Sequence, residues 1–127
     1  MKKEKVFQIL NELTKNMYPM KIDMRDYAYL ESEHQIECFS YSSSTDESVL
    51  RVKEVLDNLT KELLNEGNNY DSFVMIVEYS SWNPLLISEI EPIHDFFEKF
   101  IKDRKLCWGL SEHDGIEGVK ITLVASR

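Results

Sequence analysis

Apolar positions recur along this chain with two spacings, and the switches between them mark its elements. Val6, Phe7, Ile9, Leu10, Leu13 and Met17 share one helical stripe, which predicts a helix over residues 3–17 that Pro19 ends. Asp23 then stands as N-cap of a short second helix, with Asp26 in its first turn. Residues 35–41, "QIECFSY", alternate as a strand does. Ser44 and Glu47 have capping-box spacing ahead of a helix whose stripe is Val49, Val52, Leu56, Leu59 and Leu63, and Gly67, Asn68 and Asn69 stop it. Residues 72–80, "SFVMIVEYS", are apolar at nearly every position, the pattern of a central strand covered on both faces. After the loop "SWNPLL" comes a helix carrying Ile90, Ile93, Phe97, Phe100 and Ile101, with Pro92 expected in the first turn, where a missing N–H costs little. Residues 105–110 and 119–125 alternate on either side of a polar turn and predict a closing β-hairpin.

The order ααβαβαββ predicts a single α/β (α+β) domain over residues 1–127. Its core is a mixed four-stranded sheet with two long helices on one face and the N-terminal helical segment near the other. That second face is expected to be mixed in character, with Phe39 and Tyr41 among polar neighbours, which makes both candidate interface residues. Trp82, in a loop beside Asn83 and Pro84, is either packed locally or an exposed interface anchor.

Composition narrows the function. Fifteen basic against 23 acidic residues leave a net charge of −8, which opposes binding to nucleic acid or anionic lipid. No stretch approaches the roughly 18 apolar residues of a membrane span, and "MKKEKVFQIL" lacks the apolar core of a signal peptide. Cys38 and Cys107 lie in strand-like runs without C-x-x-C spacing, so buried reduced thiols and a cytoplasmic protein are expected. The four glycines are never adjacent, and neither phosphate-loop pattern is present, so no nucleotide is expected to bind these residues alone. His34, His94 and His113 show no metal-ligand spacing, and no serine or cysteine has an evident base partner. No catalytic residue, metal or cofactor is expected.

Four stretches taken in order resemble one family. "LCWGLSEHDGIEGVKITLVAS" is similar to the last two strands of FtsZ, the cell-division GTPase related to tubulin. "FVMIVEYSSWNPLLISEIEPIHDFF" resembles the preceding strand, loop and helix, and "IECFSYSSSTDESVLRVKEVL" an earlier strand, turn and helix without the family's glycines. "MKIDMRDYAYL" resembles the synergy loop. The resemblance covers residues 18–126 and implies the fold of the FtsZ C-terminal domain, with residues 1–17 as the remnant of the helix that joins the two domains. Nothing in the chain corresponds to the Gly-rich loop of the GTP-binding domain.

In that family the synergy loop enters the nucleotide pocket of the next subunit. The resemblance places Lys21 where the family has Asn, and Asp23 and Asp26 at its acidic positions. Read from the residues alone, the two aspartates are sufficiently explained as helix caps. The function expected is a non-catalytic protein-interaction module, self-associating or acting on an FtsZ- or tubulin-like filament. The rival is a small-molecule-binding or enzymatic α/β domain, which would need a deep pocket lined by Arg51, Arg25 or Lys120.

Overall fold

The computed structural model describes all 127 residues, Met1–Arg127. Its elements are α1 (Lys3–Thr14), β1 (Pro19–Met20), a 3-10 helix (Ala28–Ser32), β2 (Ile36–Ser42), α2 (Leu50–Asn65), β3 (Ser72–Tyr79), α3 (Ile87–Phe96) continued by a π-helical turn (Phe97–Ile101), β4 (Lys105–Glu112) and β5 (Val119–Ser126). They form one mixed sheet in the order β1-β4-β3-β5-β2. β3 runs parallel to β4 and antiparallel to β5, while β1 and β2 close the edges in antiparallel pairings.

The sheet therefore has five strands where four are predicted. The addition is the two-residue β1, which pairs Pro19 and Met20 with Ser111 and Leu110. Gly109 permits this close approach, since a Cβ there would lie 2.5 Å from the Met20 carbonyl oxygen.

The predicted closing hairpin is overturned. β4 and β5 do not pair, because β3 lies between them. A strand buried along its whole length needs a full-length neighbour on each side, and β4 and β5 each match it over eight residues. The segment between them, residues 113–118, passes over the end of β3, where the His113 N–H donates to the Tyr79 carbonyl at 2.9 Å.

Alternation along the strands builds two cores. Phe73, Met75 and Val77 of β3 join Val119, Ile121 and Leu123 of β5 beneath α2 and α3. Val74, Ile76 and Val124 face the other way, onto Val6 and Leu10 of α1 and onto Tyr27 and Leu30. The N-terminal segment thus covers the second face, as expected, but that face is apolar rather than mixed. Phe39 and Tyr41 belong to the opposite side, where they pack half-buried against the helical core, and Tyr41 donates its hydroxyl to Glu62.

Several local expectations also change. Asp23 caps no helix: the next helical residues begin at Ala28, and the cap position, Tyr27, makes no side-chain cap bond. Ser44 and Glu47 form no capping box. Ser44 donates to the Glu54 carboxylate, the Glu47 N–H donates to Thr45 Oγ1, and α2 starts only at Leu50. Pro92 sits inside α3 because that helix begins five residues before it. Ser88, whose carbonyl loses its helical partner, is exposed and can turn to water.

The two helices that cover the first face start from one buried ion pair. Arg51 and Glu89 are both fully buried, with Nε–Oε2 at 2.6 Å and Nη2–Oε1 at 2.8 Å. The Glu89 carboxylate also accepts the N–H groups of Val49 and Leu86, the residues preceding α2 and α3. This places the carboxylate at two helix N-termini, the favourable end of each dipole. Glu89, in the first turn of α3, is thus fully buried rather than solvated.

Candidate functional site

Residues 23–26 form a largely exposed turn between two buried anchors, Ile22 and Tyr27. Tyr27 fixes one end by donating to Asn11 Oδ1 of α1 at 2.6 Å. Asp23 Oδ1 accepts the Arg25 N–H at 2.9 Å, and Asp26 Oδ2 accepts the Asp23 N–H at 2.8 Å. The Arg25 guanidinium returns to Asp23 at 3.0 Å, and these hydrogen bonds hold the Asp23 carboxyl below its ordinary range. Lys21 and Met24 point to solvent. The two aspartates thus shape their own turn, which an Asx-type side chain does readily. They remain accessible, and Lys21, on the other side of buried Ile22, is exposed as well.

The three aromatic residues singled out from the sequence are not one surface. Phe39 and Tyr41 are under α2, while Trp82 stands 62% exposed in the β3–α3 loop. Sequence reading missed other exposed apolar residues, at the two helix starts. Val49 and Leu50 at the start of α2, and Leu86 and Ile87 at the start of α3, are all exposed, Ile87 to 83%. Glu89 draws their backbones together. Val49 takes a positive φ of 70° there, a conformation that a β-branched residue adopts only when its surroundings impose it.

A cleft of about 500 Å³ adjoins this group, lined by residues 43–46, Trp82, Glu117 and Gly118. Three loops build it, and buried Arg51 ties two of them from beneath by donating to the carbonyls of Asn83, Pro84 and Gly118 at 3.1–3.4 Å. Asn83 Nδ2 reaches the third through the Asp46 carbonyl at 3.0 Å. Gly118 is packed so closely that a Cβ would fall 2.0 Å from Ser43 Oγ.

On the opposite face, Glu78 Oε2 lies 2.6 Å from His113 Nε2, and Glu78 Oε1 is buried without a partner. The cavity beside this pair measures about 220 Å³, below the roughly 300–1,000 Å³ of ordinary small-molecule sites. None of the five cavities is lined by Arg51, Arg25 or Lys120, the residues a small-molecule pocket was expected to use. His34, His94 and His113 do not converge, and no cluster of three metal-binding side chains forms. No helix is long and apolar enough to cross a membrane.

Cys38 and Cys107 are free and half-buried. Pairing sets Cys107, Val74, Val124 and Cys38 in one row across four strands. Three strand spacings, roughly 14 Å, separate the two thiols, too far for a disulfide. Burial pushes the Cys107 thiol up to about 11 and raises Cys38 as well. Both should therefore react slowly with a thiol-specific disulfide reagent near pH 8 in the folded protein. Unfolding in urea should release two fast-reacting thiols per chain, which absorbance will count.

No protein-family model matches the chain, and no curated protein matches its sequence. Solved structures do match its fold. An FtsZ dimer from M. jannaschii is similar over 100% of this chain at 17% identity and a TM-score of 0.65. E. coli HypE, a hydrogenase maturation protein, is similar over 97% of the chain at 8% identity and a TM-score of 0.45, too distant to carry an argument. The chain spans 40% of the FtsZ chain, so its fold is that of part of FtsZ.

Proposed function

We propose that this chain is a non-catalytic protein-interaction module that docks on an FtsZ-like partner. The observation that carries the reading is the exposed apolar group at the start of α2 and α3. Val49 and Leu50, Leu86 and Ile87, and Trp82 in the preceding loop are large apolar side chains left exposed, and the Glu89 carboxylate joins the two helix starts that carry the first four. The FtsZ-like fold supports the class of partner, and the exposed 23–26 turn offers a second contact. Docked as a synergy loop, it would bring Asp23 and Asp26 to the nucleotide pocket of a filament's terminal subunit. These 127 residues carry no phosphate loop with which to receive another subunit, so a filament end they occupy would stop growing.

The test is to mix the purified protein with FtsZ of its source organism. Complex formation is followed by sedimentation velocity, and GTP turnover is measured in parallel. A complex is expected, with Asp23→Ala/Asp26→Ala changing turnover more than affinity. Absence of any complex at equimolar ratio, with the protein folded, removes this partner. A second copy of the chain is the competing occupant of the same face, since the FtsZ structure it resembles is itself a dimer. A monomer mass across a concentration series excludes that version.

A further inference from the structure

The cleft beside Trp82 has a chemistry of its own. The carboxylates of Asp46 and Glu117 are exposed and take part in no ion pair or side-chain hydrogen bond, and no lysine or arginine lines the cleft. The remaining lining is hydroxyl-bearing: Ser43, Ser44 and Thr45. The positive charge closest beneath, that of Arg51, is cancelled by its bidentate pairing with Glu89. The walls are held by the hydrogen bonds of Arg51, Asn83 and Ser43, so little ordering is left for a ligand to pay. Trp82 offers an exposed indole to the same space.

Resting on the interaction-module reading, we propose that this cleft receives a lysine or arginine side chain from a protein partner. The indole of Trp82 covers the aliphatic stem and attracts the cation, while Asp46 and Glu117 pair its charge. Leu86, Ile87, Val49 and Leu50 take up aliphatic residues of the same segment. Charge selects this occupant. A chain of net charge −8 repels a second copy of itself and steers a basic segment inward, and the two unpaired carboxylates place that attraction at one spot.

The experiment uses the full chain and three fluorescein-labelled peptides of equal length: alternating arginine and leucine, glutamine and leucine, and glutamate and leucine. Anisotropy titrations at low and high salt should show the arginine peptide binding at least about tenfold tighter than the glutamine peptide, with the difference shrinking at high salt. The glutamate peptide should bind weakest. Asp46→Asn/Glu117→Gln should abolish the preference for arginine over glutamine, and Trp82→Ala should weaken both peptides. All three positions are exposed, so circular dichroism should show the variants folded. Equal binding of the arginine and glutamine peptides, or a preference that survives in the double variant, overturns the proposal. The two readings fail separately. If the chain acts on FtsZ but the peptide preference is missing, the cleft proposal falls and the module reading stands. A preference that the double variant erases, with no effect on FtsZ, keeps the cleft and removes FtsZ as its partner.

Discussion

Glu89→Ala is expected to cost about 3–5 kcal/mol, a large share of the roughly 5–15 kcal/mol that holds a domain of this size folded. The reason is what remains behind. Arg51 is fully buried, and without Glu89 its charge would face only the carbonyls of Asn83, Pro84 and Gly118. The N–H groups of Val49 and Leu86 would lose their acceptor in the same step, and Val49 would lose the contact that supports its positive φ. Removing both charges with Arg51→Met/Glu89→Leu should recover part of the loss, because a buried pair is costly to desolvate. Recovery should be incomplete, since the backbone groups at both helix starts stay unsatisfied. Urea midpoints of the two variants against the parent measure all of this.

The same pair predicts the acid limb of stability. Burial alone would raise the Glu89 carboxyl, but the hydrogen bonds from Arg51 and from the Leu86 and Val49 N–H groups outweigh it and hold the carboxyl below its ordinary 4.5. A folded-state value below the unfolded one means that the carboxylate's contribution is fully present above pH 4.5. It is lost as pH falls through the lower folded value. Stability of the parent should therefore drop more steeply below pH 4.5 than that of Glu89→Gln, which has no proton to take up there.

Leu10→Ala should cost about 2–5 kcal/mol, as much as a core substitution under α2. Leu10 is fully buried on α1 and belongs to the cluster with Val74, Ile76 and Val124 on the second face of the sheet. If α1 were a loosely attached leader, the change would cost little and the urea midpoint would not move. Leu59→Ala in α2, also fully buried, supplies the reference on the first face.

The parts of this fold legible in the sequence are those where one local rule decides. β3 is apolar on both sides because both sides are covered, and the α2 stripe of Val52, Leu56, Leu59 and Leu63 is uninterrupted. The crossing of β3 by residues 113–118 was not legible. Two alternating runs joined by six residues read as a hairpin, yet those six residues reach up to about 20 Å, and stepping over one strand needs only roughly 10 Å. Strand adjacency is settled by the burial of β3, which ends at Tyr79, far upstream of the crossing and outside any local window.

The buried ion pair did leave a trace. Arg51 continues the ladder of Val55, Leu59 and Leu63 by one more step of four, and Glu89 stands one such step before Ile93. Two opposite charges, each at the first buried position of a helix, are the pattern that marks such a pair. Asp23 and Asp26 misled in the other direction, since a residue type that caps helices also closes turns, and here it closes a turn. The exposed apolar group was hidden because Leu86 and Ile87 read as ordinary loop and helix-start residues until the two helix starts meet.

Filament length decides whether this chain is an interaction module acting on an FtsZ-like filament. FtsZ of the source organism is polymerised with GTP while this chain is added at ratios well below one per FtsZ subunit, and lengths are read by electron microscopy with pelleted mass as a check. Filaments should shorten steadily with the ratio, because each occupied end stops growing, and Asp23→Ala/Asp26→Ala should have a weaker effect. Filaments of unchanged length and pelleted mass up to equimolar ratio, with the chain folded, would contradict this role.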